Sequence, residues 1–177
     1  MRNAVTVGVV VLVEGYLFWR YRRLGAEFHF WLHALFGGAI GVAAATGWAL
    51  VRRQRPRAVW GAGFAGHVYS AFPDALFLTV GILHYLWMDV FAFHIAIHFI
   101  PAPLVTMLAV LALSLVAWLL ASWQRPAAAV TALSLAIGVT TVGLLVAPGL
   151  PTTVEQLREA PQIALFCPLR GIDVASR

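Results

Sequence analysis

The sequence predicts an all-α protein, a polytopic transmembrane helical bundle of about six spans. Hydrophobic residues make up 62% of its 177 residues and charged residues only 11%, whereas a soluble domain is nearer half apolar and a quarter charged. Apolar stretches of about 20 residues recur along the chain, and this is the length that an α-helix needs to cross a bilayer. The composition therefore excludes an ordinary soluble domain.

The first apolar stretch, at about residues 3–19, is predicted to be a retained span. Trp19 and a group of arginines follow it, and it has no small-residue cleavage site of the kind that ends a signal peptide. A cleaved signal is the alternative, and the bundle has five spans if this segment does not cross. Glu14 lies inside the stretch, where we expect a neutral side chain or a partner for a nearby arginine.

The later spans are separated by arginines and prolines. Residues 58–100 contain no arginine, which is too long for one span and suits two, with Pro73-Asp74 and Gly81 as the candidate breaks. The predicted spans after the first lie at about residues 28–51, 58–79, 82–100, 103–123 and 127–147. We therefore assign residues 1–150 to the transmembrane domain and 151–177 to a polar tail with a short amphipathic helix, TTVEQLREA.

The net charge of +5 comes entirely from arginine. Because the arginines cluster between apolar stretches, they indicate membrane topology and contacts with anionic lipid head groups rather than nucleic acid. Counted over six spans, they favour cytoplasmic termini in a bacterial or archaeal cytoplasmic membrane. The partners that we expect are membrane lipid, a second copy of the chain or another membrane subunit. The one cysteine, Cys167, excludes an intramolecular disulfide and a multi-thiolate metal site.

Ionisable side chains interrupt the apolar segments, most densely in GHVYSAFPDALFLTVGILHYLWMDVFAFHIAIHFIP, residues 66–101. Such groups are costly in hydrocarbon, so they normally face the bundle interior and are candidates for function. The candidate residues are His29, His33, His67, Asp74, His84, Asp89, His94 and His98.

Span order brings several of these residues to one membrane surface. His29 and His33 are four residues apart and share a face at the start of the second span. Asp74 lies late in the third span and His84 begins the fourth, so in an up-down bundle all of them lie at the same end. The sequence therefore predicts a metal site near one leaflet.

The best candidate ligands for that site are His33, Asp74 and His84, with His29 or His67 as the fourth. Nitrogen and carboxylate ligands suit zinc, with iron or manganese as alternatives. Asp89, about one turn deeper, is the candidate catalytic residue, as a general base or as a hydrogen-bond partner of a ligand histidine.

The sequence HIAIH places His94 and His98 four residues apart, a spacing that lets one helix offer two ligands to one metal. On a regular helix His94 would lie about 15 Å from His84, too far for one compact site. Either residues 84–89 fold back and bring His94 to the site, or there are two sites.

Two other interpretations remain open. His84 and His98 are 14 residues apart, as in membrane cytochromes of the b type, and one bis-histidine haem b would suit a haem-binding or electron-transfer subunit. No second pair has this spacing, so the two-haem pattern is not met. Alternatively, the histidines only hydrogen-bond between helices in a non-enzymatic transporter component, proton relay or partner-binding subunit.

Three segments carry a family resemblance: HALFGGAIG with His33, AFPDALFL with Asp74, and HYLWMDVFAFHIAIH from His84. Together they resemble the inner-membrane metal-dependent hydrolase family described as LexA-binding, over about a third of the chain. That family's PDxDH is PDALF here, Tyr85 replaces its arginine, and its Thr-His-Ser is absent. The resemblance implies a metal-dependent hydrolase acting at the membrane, and we expect a lipid-like ester or phosphoester as its substrate.

Overall fold

The computed structural model describes residues 2–80 and 86–147, and this part of the chain is all-helical. Gly81, His84 and the predicted tail, residues 151–177, lie outside it. The α-helices are α1 (Arg2–Arg23), α2 (Glu27–Val51), α3 (Val59–Ser70), α4 (Phe72–Val80), α5 (Pro103–Ser122) and α6 (Pro126–Leu145). The predicted all-α class is confirmed for these residues.

Within residues 2–80 and 86–147, three helices, α2, α5 and α6, are long and apolar enough to cross a membrane. This fits a membrane protein, but six spans are not confirmed. With 12 and 9 residues, α3 and α4 are each shorter than the roughly 30 Å hydrocarbon layer at about 1.5 Å per residue.

The predicted third span is divided at Ala71, two residues before the expected break at Pro73-Asp74. Pro73 has no amide hydrogen to donate to the carbonyl of Tyr69, so the helix cannot continue regularly there. The Ala71 amide still donates to the His67 carbonyl, at 2.8 Å. The break between α3 and α4 places Asp74 in the first turn of α4.

The prediction of one helix over residues 82–100 is wrong for the described residues 86–100. They form two short 3-10 helices, Leu86–Val90 and Ala96–Phe99, separated by turns. Ala92 and Phe93 have φ values of 58° and 51°, which a regular helix excludes. Asp89 explains part of this conformation, because its Oδ1 accepts the amides of residues 95 and 96 and so competes with helical hydrogen bonds.

The central helix, α2, runs antiparallel to α3 and parallel to α5. Gly37 and Gly41 face Gly66 and Ala62 across the α2–α3 contact, where an added Cβ would collide with the opposite backbone. Small residues are what allow two membrane helices to approach this closely. The close contact brings the start of α2 against the end of α3.

The bundle has two distinct ends. At one end, which we call the histidine end, lie the α1–α2 connection, Asp74 in the first turn of α4, residues 86–100 and the start of α5. At the other, the arginine end, lie the connections after α2 and α5. The Arg23 guanidinium lies 4.4 Å from the ring centre of Trp19 at the histidine end, and Arg52 lies 4.6 Å from Trp48 at the arginine end. Such aromatic and cationic pairs are typical of membrane–water interfaces.

Large apolar side chains cover the outside of the helices. Leu12, Val105 and Ile137, on α1, α5 and α6, are 73%, 69% and 66% exposed. A surface of this kind is suited to lipid rather than to water. The polar side chains discussed below lie inside the bundle, at the histidine end.

Candidate metal centre

Four buried side chains converge at the histidine end: His29, His33, Asp74 and His94. One potential ligand atom from each lies within 4.8 Å of all the others, and this group could hold a metal ion. Its members come from three elements, namely the first turns of α2, the first turn of α4 and the turns at residues 86–100. The four side chains are at most 1% exposed.

The ligand atoms are spaced as they are around a small cation. Asp74 Oδ2 lies 2.8 Å from His29 Nε2 and 3.7 Å from His33 Nε2, while Asp74 Oδ1 lies 3.3 Å from His94 Nε2. The Nε2 atoms of His29 and His33 are 3.1 Å apart. With metal–ligand distances of about 2.0–2.2 Å, tetrahedral zinc places neighbouring ligand atoms roughly 3.3 Å apart. The separations among Asp74 Oδ2, His29 and His33 are close to this value, whereas His94 lies against the other carboxylate oxygen.

Ser70 orients two of the three imidazoles. Its carbonyl accepts a hydrogen bond from His94 Nδ1, at 2.9 Å, and its Oγ lies 2.8 Å from His33 Nδ1. With the proton of a neutral His94 on Nδ1, the lone pair of its Nε2 points toward Asp74. Metal-binding histidines usually have their second nitrogen held in this way.

The carboxylate also contacts a side chain of α1. The hydroxyl of Tyr21 donates a hydrogen bond to Asp74 Oδ2, and Tyr21 is itself fully buried. A carboxylate in an apolar interior requires hydrogen-bond donors or positive charge around it. The closely spaced His29 and His33 nitrogens likewise need a proton or a cation between them. The chemistry of this donor set therefore fits a divalent cation.

His98 lies against the group without belonging to it. Its ring stacks on His29 with centroids 4.4 Å apart, and His33 stacks on His94 at 4.3 Å. Rings in direct contact leave no gap for a porphyrin between them. His84, which with His98 was a predicted haem ligand, lies outside the described residues, so the haem b alternative stays a prediction.

The structure places the other predicted residues elsewhere. His67 Nδ1 lies 2.8 Å from Glu14 Oε1, so Glu14 is paired with a histidine, a partner that the sequence did not predict. Asp89 lies outside the four-residue group and accepts the Ile95 amide at 2.6 Å. For His94 the sequence left two alternatives, a fold-back that brings it to the site or a second site. The turns at residues 86–100 place it beside the other candidate ligands, as the first alternative expects.

The hydrogen bonds from Tyr21 to Asp74 and between Ser70 and His33 were not predicted from the sequence. Ser70 could have been found, since it precedes Asp74 by four residues and such a spacing places two side chains on one helical face. No spacing connects Tyr21 with Asp74, because they lie 53 residues apart.

No protein family, no curated protein and no solved structure matches this chain. The interpretation of the site therefore depends on its own geometry and chemistry.

Proposed function

We propose that the protein is an integral membrane metalloprotein whose His29, His33, His94 and Asp74 bind one divalent transition metal. The observation that carries this proposal is the convergence of four buried ligand atoms within 4.8 Å. Burying three imidazoles and a carboxylate together is costly without a compensating charge. A bound cation would supply that charge.

Zinc is the ion that this site suits best. Three imidazole nitrogens and one carboxylate oxygen form a four-coordinate set without thiolates, which zinc accepts readily. Iron and manganese also accept nitrogen and oxygen ligands, and they are the alternatives.

The activity that we propose for this centre is hydrolysis of an ester or phosphoester in a lipid-like substrate. For this activity the bound metal would have to take up water as a fifth ligand, which catalytic zinc can do, and it would then activate that water near neutral pH and polarise a carbonyl or phosphoryl oxygen. In this chain, Ser70 would orient the ligands His33 and His94, and the Tyr21 hydroxyl would hold the carboxylate ligand Asp74 in place.

A structural metal site is the second candidate. Four protein ligands complete a tetrahedral shell, and the full burial of Asp74 and His33 is what a closed site shows. The protein would then be a non-enzymatic bundle whose helices are fixed by the ion.

Metal analysis of the purified protein tests metal binding, which both candidate functions require. We expect about one zinc per chain in the native protein and its loss in Asp74→Asn and His33→Asn. His67→Gln is the matched control, because it alters a buried histidine outside the group and should retain the metal. A native protein without bound metal, or Asp74→Asn with its metal intact, would contradict the proposal.

Lipid hydrolysis separates the two candidates. The metal-loaded protein is placed in liposomes of mixed phospholipids and neutral glycerol esters, and mass spectrometry follows the release of products. Hydrolysis that His33→Asn abolishes and His67→Gln leaves unchanged would support the hydrolase. Bound zinc without any lipid hydrolysis would reject it in favour of the structural site.

A further inference from the structure

A pocket of about 400 Å³ opens at the arginine end, between the last turns of α2 and α5 and the start of α6. Three of the residues that line it carry polar side chains, namely Arg53, Gln54 and Gln124. Ala49 and Ala121, each 5% exposed, form part of its apolar wall. The pocket therefore combines one positive charge and two amide groups with an apolar wall, at the opposite end of the bundle from the metal-ligand group.

The backbone places two of these polar side chains at positions that usually belong to glycine. Arg53 and Gln124 follow the ends of α2 and α5 with φ values of 51° and 61°. In each case the amide of the next residue, Gln54 or Arg125, donates to a carbonyl five residues earlier, at 2.8 and 2.9 Å. This is the Schellman arrangement, which favours glycine at the left-handed residue. Both helices thus end with a polar side chain where glycine would be less strained, and both side chains line the same pocket.

The charge around the pocket is positive. The two connections at this end carry five arginines, which are Arg52, Arg53, Arg55, Arg57 and Arg125. None of the four carboxylates in residues 2–80 and 86–147 lies in these connections; they are Glu14, Glu27, Asp74 and Asp89. The complementary occupant is therefore an anion. Arginine suits a phosphate group in particular, because its planar guanidinium donates two parallel hydrogen bonds to the oxygens.

The depth of the pocket favours a lipid head group over a free anion. The pocket lies at the ends of α2 and α5, which are long and apolar enough to cross a membrane. Trp48 and Trp123, at the same ends, are 63% and 61% exposed, and tryptophans at helix ends are typical of the membrane–water interface. The phosphates of membrane lipids lie in this layer. The apolar wall at Ala49 and Ala121 would contact the hydrocarbon next to the head group.

We propose that this pocket binds the phosphate of an anionic phospholipid, with Arg53 as the charged donor and Gln124 as a neutral donor. A general attraction of arginines to a lipid surface would draw on all five arginines alike, whereas this site assigns the binding to one of them. The site lies at the other end of the bundle from the metal-ligand group, so the proposal goes beyond the metal centre and depends neither on bound metal nor on hydrolysis.

Native mass spectrometry of the full chain in detergent tests this assignment. The probes are phosphatidylglycerol and phosphatidylcholine with identical acyl chains, and we expect the anionic lipid to bind about tenfold more tightly. Arg53→Gly should lower the affinity for phosphatidylglycerol by about tenfold, the range of one charge-assisted hydrogen bond. Because glycine suits the left-handed backbone at this residue, the unfolding temperature should stay about that of the native protein.

Arg55→Gly is the matched control. It removes the same charge from the same connection, at a residue that is not among those lining the pocket, and it should change the affinity by less than about twofold. Gln124→Gly leaves the net charge unchanged and also relieves a left-handed residue. It should lower the affinity by about threefold, the range of one neutral hydrogen bond.

Three results would overturn the proposal. Equal binding of the two lipids would show that the pocket does not select an anion. Equal losses in Arg53→Gly and Arg55→Gly would show a diffuse attraction to the positive surface. Displacement of phosphatidylglycerol by inorganic phosphate would assign the pocket to a free anion. The affinity for phosphatidylglycerol should be unchanged in Asp74→Asn, so this measurement separates the lipid site from the metal site.

Discussion

Asp74 shows how one residue depends on neighbours from distant parts of the chain. Its Oδ2 accepts the hydroxyl hydrogen of Tyr21 and lies 2.8 Å from His29 Nε2. Because the Tyr21 hydroxyl donates to the Asp74 carboxylate, we expect Tyr21 to affect a bound ion through the position of that carboxylate. Groups that hold a ligand in this way are expected to influence metal affinity strongly.

Replacing Tyr21 with phenylalanine should lower zinc affinity by about tenfold or more, because the carboxylate loses a donor that holds it in place. Competition with a chromophoric chelator measures the change. Tyr16→Phe removes a hydroxyl from the same helix at a position that is 49% exposed, and it should leave the affinity unchanged. Equal affinities for the two variants would show that Tyr21 does not position the carboxylate.

At the scale of elements, the turns at residues 86–100 decide whether the ligand group is complete. They carry His94, and the contacts from Asp89 Oδ1 to the amides of Ile95 and Ala96, at 2.6 and 3.1 Å, hold them together. A side chain that accepts two amide hydrogens can replace helical hydrogen bonds at a turn. Asp89 thus has a structural role besides the catalytic role predicted for it.

Asp89→Ala should lower metal affinity by about tenfold while leaving helix content unchanged, because only the turn that carries His94 is loosened. Asp89→Asn keeps an oxygen that can accept both amides, so its loss of affinity should be smaller. Chelator competition and circular dichroism provide the two measurements. If both variants retained metal and lost hydrolysis equally, Asp89 would act as the general base instead.

The α2–α3 contact depends on glycine. Gly41→Ala would place a methyl group against the backbone of Ala62. We expect the free energy of unfolding to fall by about 1–3 kcal/mol. Metal binding should weaken as well, because α3 would have to move away from α2. Gly47→Ala is the matched control, since a Cβ there meets nothing within 4 Å and should change stability by less than about 1 kcal/mol. Denaturation in detergent measures both, and similar stabilities would show that the contact adjusts freely.

The ligand group could be predicted from the sequence only where helical periodicity applies. His29 and His33 are related by the four-residue repeat, and the order of the spans brings Asp74 to the same end. His94 could not be assigned, because residues 86–100 form an apolar stretch whose periodicity suits a helix. Their turns depend on tertiary contacts, such as the hydrogen bond from Tyr69 to the carbonyl of Val90, at 2.6 Å.

On the scale of the whole molecule, the directions of the helices and the positions of the arginines predict on which side of the membrane the candidate metal centre lies. α1, α2, α3, α5 and α6 alternate in direction, so residues 2 and 147 lie at opposite ends of the bundle. This arrangement does not support the expectation that both termini lie in the cytoplasm.

Arginines at the arginine end outnumber those at the histidine end in the described part of the chain. They are Arg2, Arg52, Arg53, Arg55, Arg57 and Arg125 against Arg20, Arg22 and Arg23.

The positive-inside rule then predicts that the arginine end faces the cytoplasm and that the metal centre lies near the outer leaflet. Cysteine labelling in intact cells measures this orientation in a Cys167→Ser background. A membrane-impermeant maleimide should label Leu24→Cys directly and Gln54→Cys only after permeabilisation. The reverse pattern would place the metal centre on the cytoplasmic side.

The distribution of the ligand residues along the chain has a consequence for biogenesis. His29 and His33 emerge early from the ribosome on one helix, Asp74 follows 41 positions after His33, and His94 arrives later in an irregular segment. Tight zinc binding should therefore begin only after residue 94 has been synthesised and has left the ribosome. Stalled nascent chains ending before and after that point would show this as an abrupt gain in zinc retention, and a gradual gain would mean that the earlier ligands suffice.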